Sequence, residues 1–126
     1  MRKIILLVCL AFSFSSFNQK IGDDEIVSAL KHGNAAEFTS FFDNFIDLKL
    51  PEKDEIKNVG KTQASITIKS FFEENNIKGF ELISQRQLSG TTYIAGKLVG
   101  DAEKYNLTLM IKNKGDKLAI ITVRIN

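Results

Sequence analysis

Apolar and polar residues alternate through the last third of the chain, in runs separated by short turns. Residues 77–88, 91–99, 105–112 and 118–125 are rich in β-branched and aromatic positions. The breaks between them are Ser89-Gly90, Gly100-Asp101 and Lys114-Gly115-Asp116. Strands of this length joined by turns this short predict a four-stranded antiparallel meander from Phe80 to Ile125. Such a sheet needs an apolar cover on at least one face, and only the upstream segments can provide it.

Upstream the period changes. Asp23 or Asp24 caps a helix on which Ile26, Val27 and Leu30 share a face, and Lys31-His32-Gly33 closes it. Asn34 opens a second helix, with Glu37 at capping-box spacing. Phe38, Phe41, Phe42 and Phe45 follow at i, i+3, i+4 and i+7, which predicts one apolar helical stripe. Residues 43–50 then alternate, with Ile46, Leu48 and Leu50 against Asp47 and Lys49, as in a half-buried strand. Pro51-Glu52-Lys53-Asp54 is a turn, 55–59 a short return strand, and Gly60 a break. Residues 61–75 form the third helix, with Ala64, Ile68, Phe71 and Phe72 inward and Asn75-Asn76 as its stop. The order α-α-β-β-α-β-β-β-β predicts an α+β fold: three helices packed on a bent antiparallel sheet shaped as a cone. Gly96, mid-strand, is the residue a sharp bend or bulge needs.

The chain start changes the picture of charge and address. Met1-Arg2-Lys3 is basic, residues 4–14 are uncharged and apolar, and Ser13-Phe14-Ser15-Ser16 places small residues at cleavage spacing. This predicts a secretory signal peptide over 1–18, cut between Ser15 and Gln19, and one α+β domain over 19–126, exported to the periplasm or secreted. The apolar run is too short to span a bilayer. Cys9, the only cysteine, sits inside that run. Val8 stands where a lipoprotein site needs a small residue, so Cys9 reads as one more apolar leader residue and not as an anchor. Without Arg2 and Lys3 the remainder holds 15 bases against 15 acids. No basic field is left to argue for nucleic acid.

The segment from Lys61-Thr62-Gln63-Ala64 to Phe71-Phe72, then Tyr93-Ile94-Ala95-Gly96, the run 105–112, and 120–125 with Arg124 resemble an exported bacterial family, the domain of unknown function 4783. More broadly the chain resembles the cystatin-like folds of the nuclear transport factor two and ketosteroid isomerase type. The resemblance implies a fold and an exported address. It brings no catalytic residues.

Candidate chemistry is sparse. His32 is the only histidine and falls at a helix C-terminus beside Lys31, where the helix dipole favours it. One histidine and no mature cysteine point away from a transition-metal site, and no cofactor motif occurs. The carboxylates of the meander, Glu81, Asp101, Glu103 and Asp116, avoid strand centres, whereas Arg86, Lys97, Lys112 and Arg124 occupy strands. The Ser89-Gly90 turn pairs Arg86 with Tyr93. That pair is either an exposed cross-strand contact or the polar mouth of a pocket. On the second reading Arg86, Tyr93, Tyr105 and Arg124 are the candidate ligand-binding residues, for an anionic or apolar small ligand or a protein partner. Three functional classes stay open: a non-catalytic binding module, which comes first; a small isomerase- or dehydratase-like enzyme using the cone cavity, with Asp43 and Asp47 as its only candidate acids; and a structural, self-associating domain.

A turn at Lys114-Gly115 would set Leu109 opposite Ile120 and Ile111 opposite Leu118. Tyr105, Leu107, Leu109 and Ile111 then share a face with Leu118 and Ile120. The opposite face carries Met110, Ala119, Ile121, Val123 and Ile125. Both faces read as apolar while the helices cover one, which predicts a homodimer through the sheet with Met110 and Ile120 as its probes.

Overall fold

The computed structural model describes residues 21–126, with side chains described from Asp23 onward. The leader and Cys9 lie outside the described residues. The elements are α1 (Ile21–Lys31), α2 (Ala35–Ser40), β1 (Phe42–Lys49), β2 (Ile56–Gly60), α3 (Lys61–Glu74), β3 (Gly79–Leu88), β4 (Thr91–Val99), β5 (Lys104–Lys114) and β6 (Lys117–Ile125). This is the expected order.

Local chemistry accounts for the helix ends. The α1 C-terminus closes on Gly33 at φ +66°, and Asn34 N–H donates to the Ala29 carbonyl at 2.8 Å. That is the six-to-one bond of a glycine-closed helix. A Cβ at Gly33 would stand 2.6 Å from the Ile77 carbonyl oxygen, so both backbone angle and space demand glycine there. The Asn34 side-chain oxygen accepts from Glu37 N–H at 3.1 Å and caps α2. The α3 helix ends through Asn76 at φ +50°, with Ile77 N–H bonded to the Phe72 carbonyl.

The six strands run β2-β1-β6-β5-β4-β3, and β3 to β6 form the expected meander. The sheet as a whole is mixed, because β1 lies parallel to β6. That pairing also overturns the phenylalanine stripe. The helix stops at Ser40, the Phe41 carbonyl accepts from Ile120 N–H at 2.8 Å, and the chain continues as β1. Phe38 and Phe42 still reach the core, edge to face at 5.4 Å, but Phe45 opposes Gly60 and is 63% exposed. A hydrogen-bonded place beside a central strand outweighs the weak helical preference of a phenylalanine-rich segment.

The last hairpin also departs from expectation. Its two-residue turn is Gly115-Asp116, with Lys114 opposite Lys117. That turn sets Ile111 opposite Ile120, not Leu118, and a register shift between Met110 and Ile111 then sets Leu109 opposite Val123, not Ile120. The extra residue on β6 moves Val123 and Ile125 onto the helix-covered, concave face, where both are fully buried. The convex face keeps Tyr93, Ala95, Thr108, Met110 and Thr122. Two of the apolar residues expected on the second face therefore join the core, while Met110, Ala119 and the exposed Leu88 stay on the convex side.

The core lies between that concave face and the helices. Phe38 stacks on Phe72 at 6.0 Å, and Ile26, Leu30 and Ile68 meet Ile94, Leu98, Leu107, Leu109 and Ile125. A bulge at Leu82–Ser84 stands opposite Gly96, the bend the sequence marks.

Candidate functional site

In a cone-shaped fold the concave face is where a cavity would open. Here it is filled. Phe71, Phe72 and Phe80 are all buried, and the Phe80 ring lies directly on Gly96, where a Cβ would meet its Cε1 at 2.7 Å. The buried polar residues among those described are Thr39, Thr92 and Thr122, none of them ionisable in the ordinary pH range.

Open space lies instead at one end of the cone. A cleft of about 1370 Å³ runs between the start of α1, the α2–β1 junction, the β3–β4 hairpin and the β5–β6 hairpin. Asp23, Asp43, Lys61, Gln85, Asn113 and Lys114 are among its lining residues. Asp43 accepts a hydrogen bond from Lys114 Nζ at 2.8 Å. That bond, with the Asn44 N–H, holds its carboxyl below the usual carboxylate range. An acid so held stays ionised near neutrality and is a weak base, so it is poorly matched to proton transfer. The other candidate acid, Asp47, is on the convex side and is occupied by the Asn58 N–H at 3.1 Å. Asn58 stands at φ +57° in an irregularity of β2 opposite Asp47.

A second, shallower groove of about 790 Å³ separates the β1–β2 turn from α3. Tyr105 stands on its wall, edge to face with Phe71 at 5.1 Å, and donates its hydroxyl to Asn75 Oδ1 at 2.9 Å. Desolvation, then Glu103, pushes the Tyr105 hydroxyl up.

The four candidate ligand-binding residues do not converge. Arg86 opposes Tyr93 as expected, but the pair lies on the convex side, with Arg86 on the edge strand also bordering the cleft. Tyr105 packs at the far end of the concave face. Arg124 is on the convex side and its Nε donates to Glu55 at 2.7 Å. Of the two dimer probes, Met110 is half-buried on the convex face, whereas Ile120 is 0% exposed in the core, out of a partner's reach. His32 is exposed and its Nδ1 donates to the Ser28 carbonyl at 2.8 Å. The Asp43–Lys114 pair, 71 residues apart in the chain, was illegible in the sequence because no local pattern signals it. Among the described residues no helix is long and apolar enough to cross a membrane.

Solved structures share this architecture. A protein of the same domain family from Bacteroides ovatus matches with a TM-score of 0.74 at 21% identity, over 80% of this chain and 90% of its own. One from Bacteroides uniformis matches with 0.74 at 20% identity, over 82% and 94%. A cystatin-fold protein from Novosphingobium aromaticivorans matches with 0.59 at 12% identity, over 82% and 93%. At these identities the likeness establishes the fold. Among curated proteins nothing matches. The family model for the domain of unknown function DUF4783 matches residues 23–126, nearly all of the described chain, and the chain belongs to that family.

Proposed function

We propose that the protein is an exported, non-catalytic binding module that works through its outer surface and not through a cavity inside the cone. One observation carries this reading. The concave face is packed with Phe71, Phe72 and Phe80, and of the carboxylates lining the neighbouring cleft the strand-borne one, Asp43, is held ionised by Lys114. An enzyme of the isomerase or dehydratase kind needs an acid or base of tuned pKa facing an enclosed substrate space. The leader pattern of residues 1–18 supports the exported address.

Native mass spectrometry of the protein purified from its own host tests the reading. The expected spectrum shows the chain, shortened at its N-terminus, with a retained macromolecular partner. A bare chain with an intact Met1 would overturn both parts. Turnover found in the wild type and lost in Asp43→Asn with the fold retained would transfer the protein to the enzyme class.

A further inference from the structure

The convex face of the sheet combines an uncharged middle with three cations that form no close ion pair. Tyr93 pairs with Met110, and Met110 with Thr122, so that one cross-strand row forms the middle. Arg86 ends that row on β3. Lys112 follows Met110 by two residues on β5, and Lys97 follows Tyr93 by four on β4, which keeps all three cations on the convex side. No ion pair forms at Arg86, Lys97 or Lys112 among the described residues. Glu81, the carboxylate opposite Lys97, is bound by Lys104 at 3.1 Å. These cations belong to a domain that is neutral as a whole, since residues 19–126 hold 15 bases and 15 acids. Asp47, Glu55 and Glu81 also reach this side, but Glu55 is taken by Arg124, Glu81 by Lys104 and Asp47 by the Asn58 N–H, while Asp23, Asp24, Glu37, Glu73 and Glu74 stand on the helices.

We propose that this convex face is the docking surface for an acidic protein partner, with Tyr93 and Met110 as the contact centre and Arg86, Lys97 and Lys112 as the rim that pairs with its carboxylates. The proposal rests on the binding-module reading and names its surface and the chemistry of its partner. Tyr, Met and Arg are residue types that concentrate in protein interfaces, and a cationic rim selects an acidic counterpart. A second copy fits less well, because a twofold axis through the face would set these cations near their own images. Nucleic acid fits less well too, since three spaced cations on a neutral domain make a weak field. A membrane surface would need several protruding apolar groups; Leu88, at the end of β3, is exposed beside this row, but Tyr93 and Met110 are half-buried among their cross-strand neighbours.

The test uses the exported protein as its host processes it, with a random glutamate–tyrosine copolymer as the acidic polypeptide probe. Binding is expected to shift the amide resonances of β3 to β6 around Tyr93 and Met110, and to weaken as salt is raised. The charge reversals Arg86→Glu, Lys97→Glu and Lys112→Glu together should reduce affinity by about tenfold or more with the thermal midpoint retained. Should that variant fail to fold, Lys97→Gln with Lys112→Gln gives the same direction at smaller size. The proposal is overturned if the copolymer does not bind, or if it binds equally well to the variants. It is equally overturned if phosphatidylglycerol vesicles bind through this face in preference to the copolymer, or if sedimentation shows a dimer that Met110→Glu dissociates. Failure here alongside a retained partner in the native spectrum removes the surface assignment and leaves the binding-module reading standing.

Discussion

Replacing Gly96 with alanine reverses the usual expectation for a glycine in a strand. An unobstructed mid-strand Gly→Ala change should stabilise by about 0.5–1 kcal/mol, because the unfolded chain loses freedom. Here the new methyl would collide with the Glu81 carbonyl oxygen and with the Phe80 ring, whose Cε1 stands 2.7 Å from the Cβ position. Ordinary contact begins at 3.4 Å, so something must shift, and one obstacle is backbone. Overpacking of this kind costs about 1–3 kcal/mol. Disturbing a ladder bond between β3 and β4 adds about 0.5–1.5 kcal/mol. After the entropic gain the net is a destabilisation of about 0.5–4 kcal/mol. Urea unfolding of Gly96→Ala, alone and in a Phe80→Ala background, measures it. The penalty should shrink without Phe80 and persist in part through the Glu81 carbonyl. A Gly96→Ala protein as stable as wild type, or more stable, would refute the argument that ring and carbonyl fill this space.

Phe71→Ala removes a buried ring edge to face with Tyr105 and should cost about 3–5 kcal/mol; a thermal midpoint within a degree or two of wild type would show that this helix face is not core. Tyr105→Phe removes the hydroxyl bond to Asn75 and should cost about 0.5–1.5 kcal/mol in urea unfolding. Asp43, its folded pKa lowered by Lys114, contributes stability that is present above the ordinary carboxylate pKa and lost as pH falls through its own lower value. Asp43→Asn should therefore lose up to about 1 kcal/mol at neutral pH, with the difference from wild type closing in strong acid; a loss independent of pH would point to packing instead. Ser89 sits at φ +49° before Gly90 in a tight hairpin turn. Ser89→Asn should raise stability by up to about 1 kcal/mol, since asparagine tolerates that angle better, and an unchanged urea midpoint would argue against strain there.

Local periodicity determined much of this protein. The helical face of Ala64, Ile68, Phe71 and Phe72 and the four meander strands follow from spacing, and the Gly33 stop and Asn34 cap from residue chemistry within a few positions. The pairing of Arg86 with Tyr93 follows too, because a two-residue turn sets its own register. Tertiary structure decided what depends on remote partners. Phe42 and Phe45 carry a helical spacing, but β6 accepts the chain after Ser40 as a parallel neighbour, and the two strands come from opposite ends of the domain. The shift between Met110 and Ile111 has no residue-type signature, yet it reverses the facing of everything beyond it on β6. Val123 and Ile125 enter the core by that one-residue change of phase. The convex face is left with Met110, Thr122 and cations drawn from separate strands, a surface that exists only once the register is set.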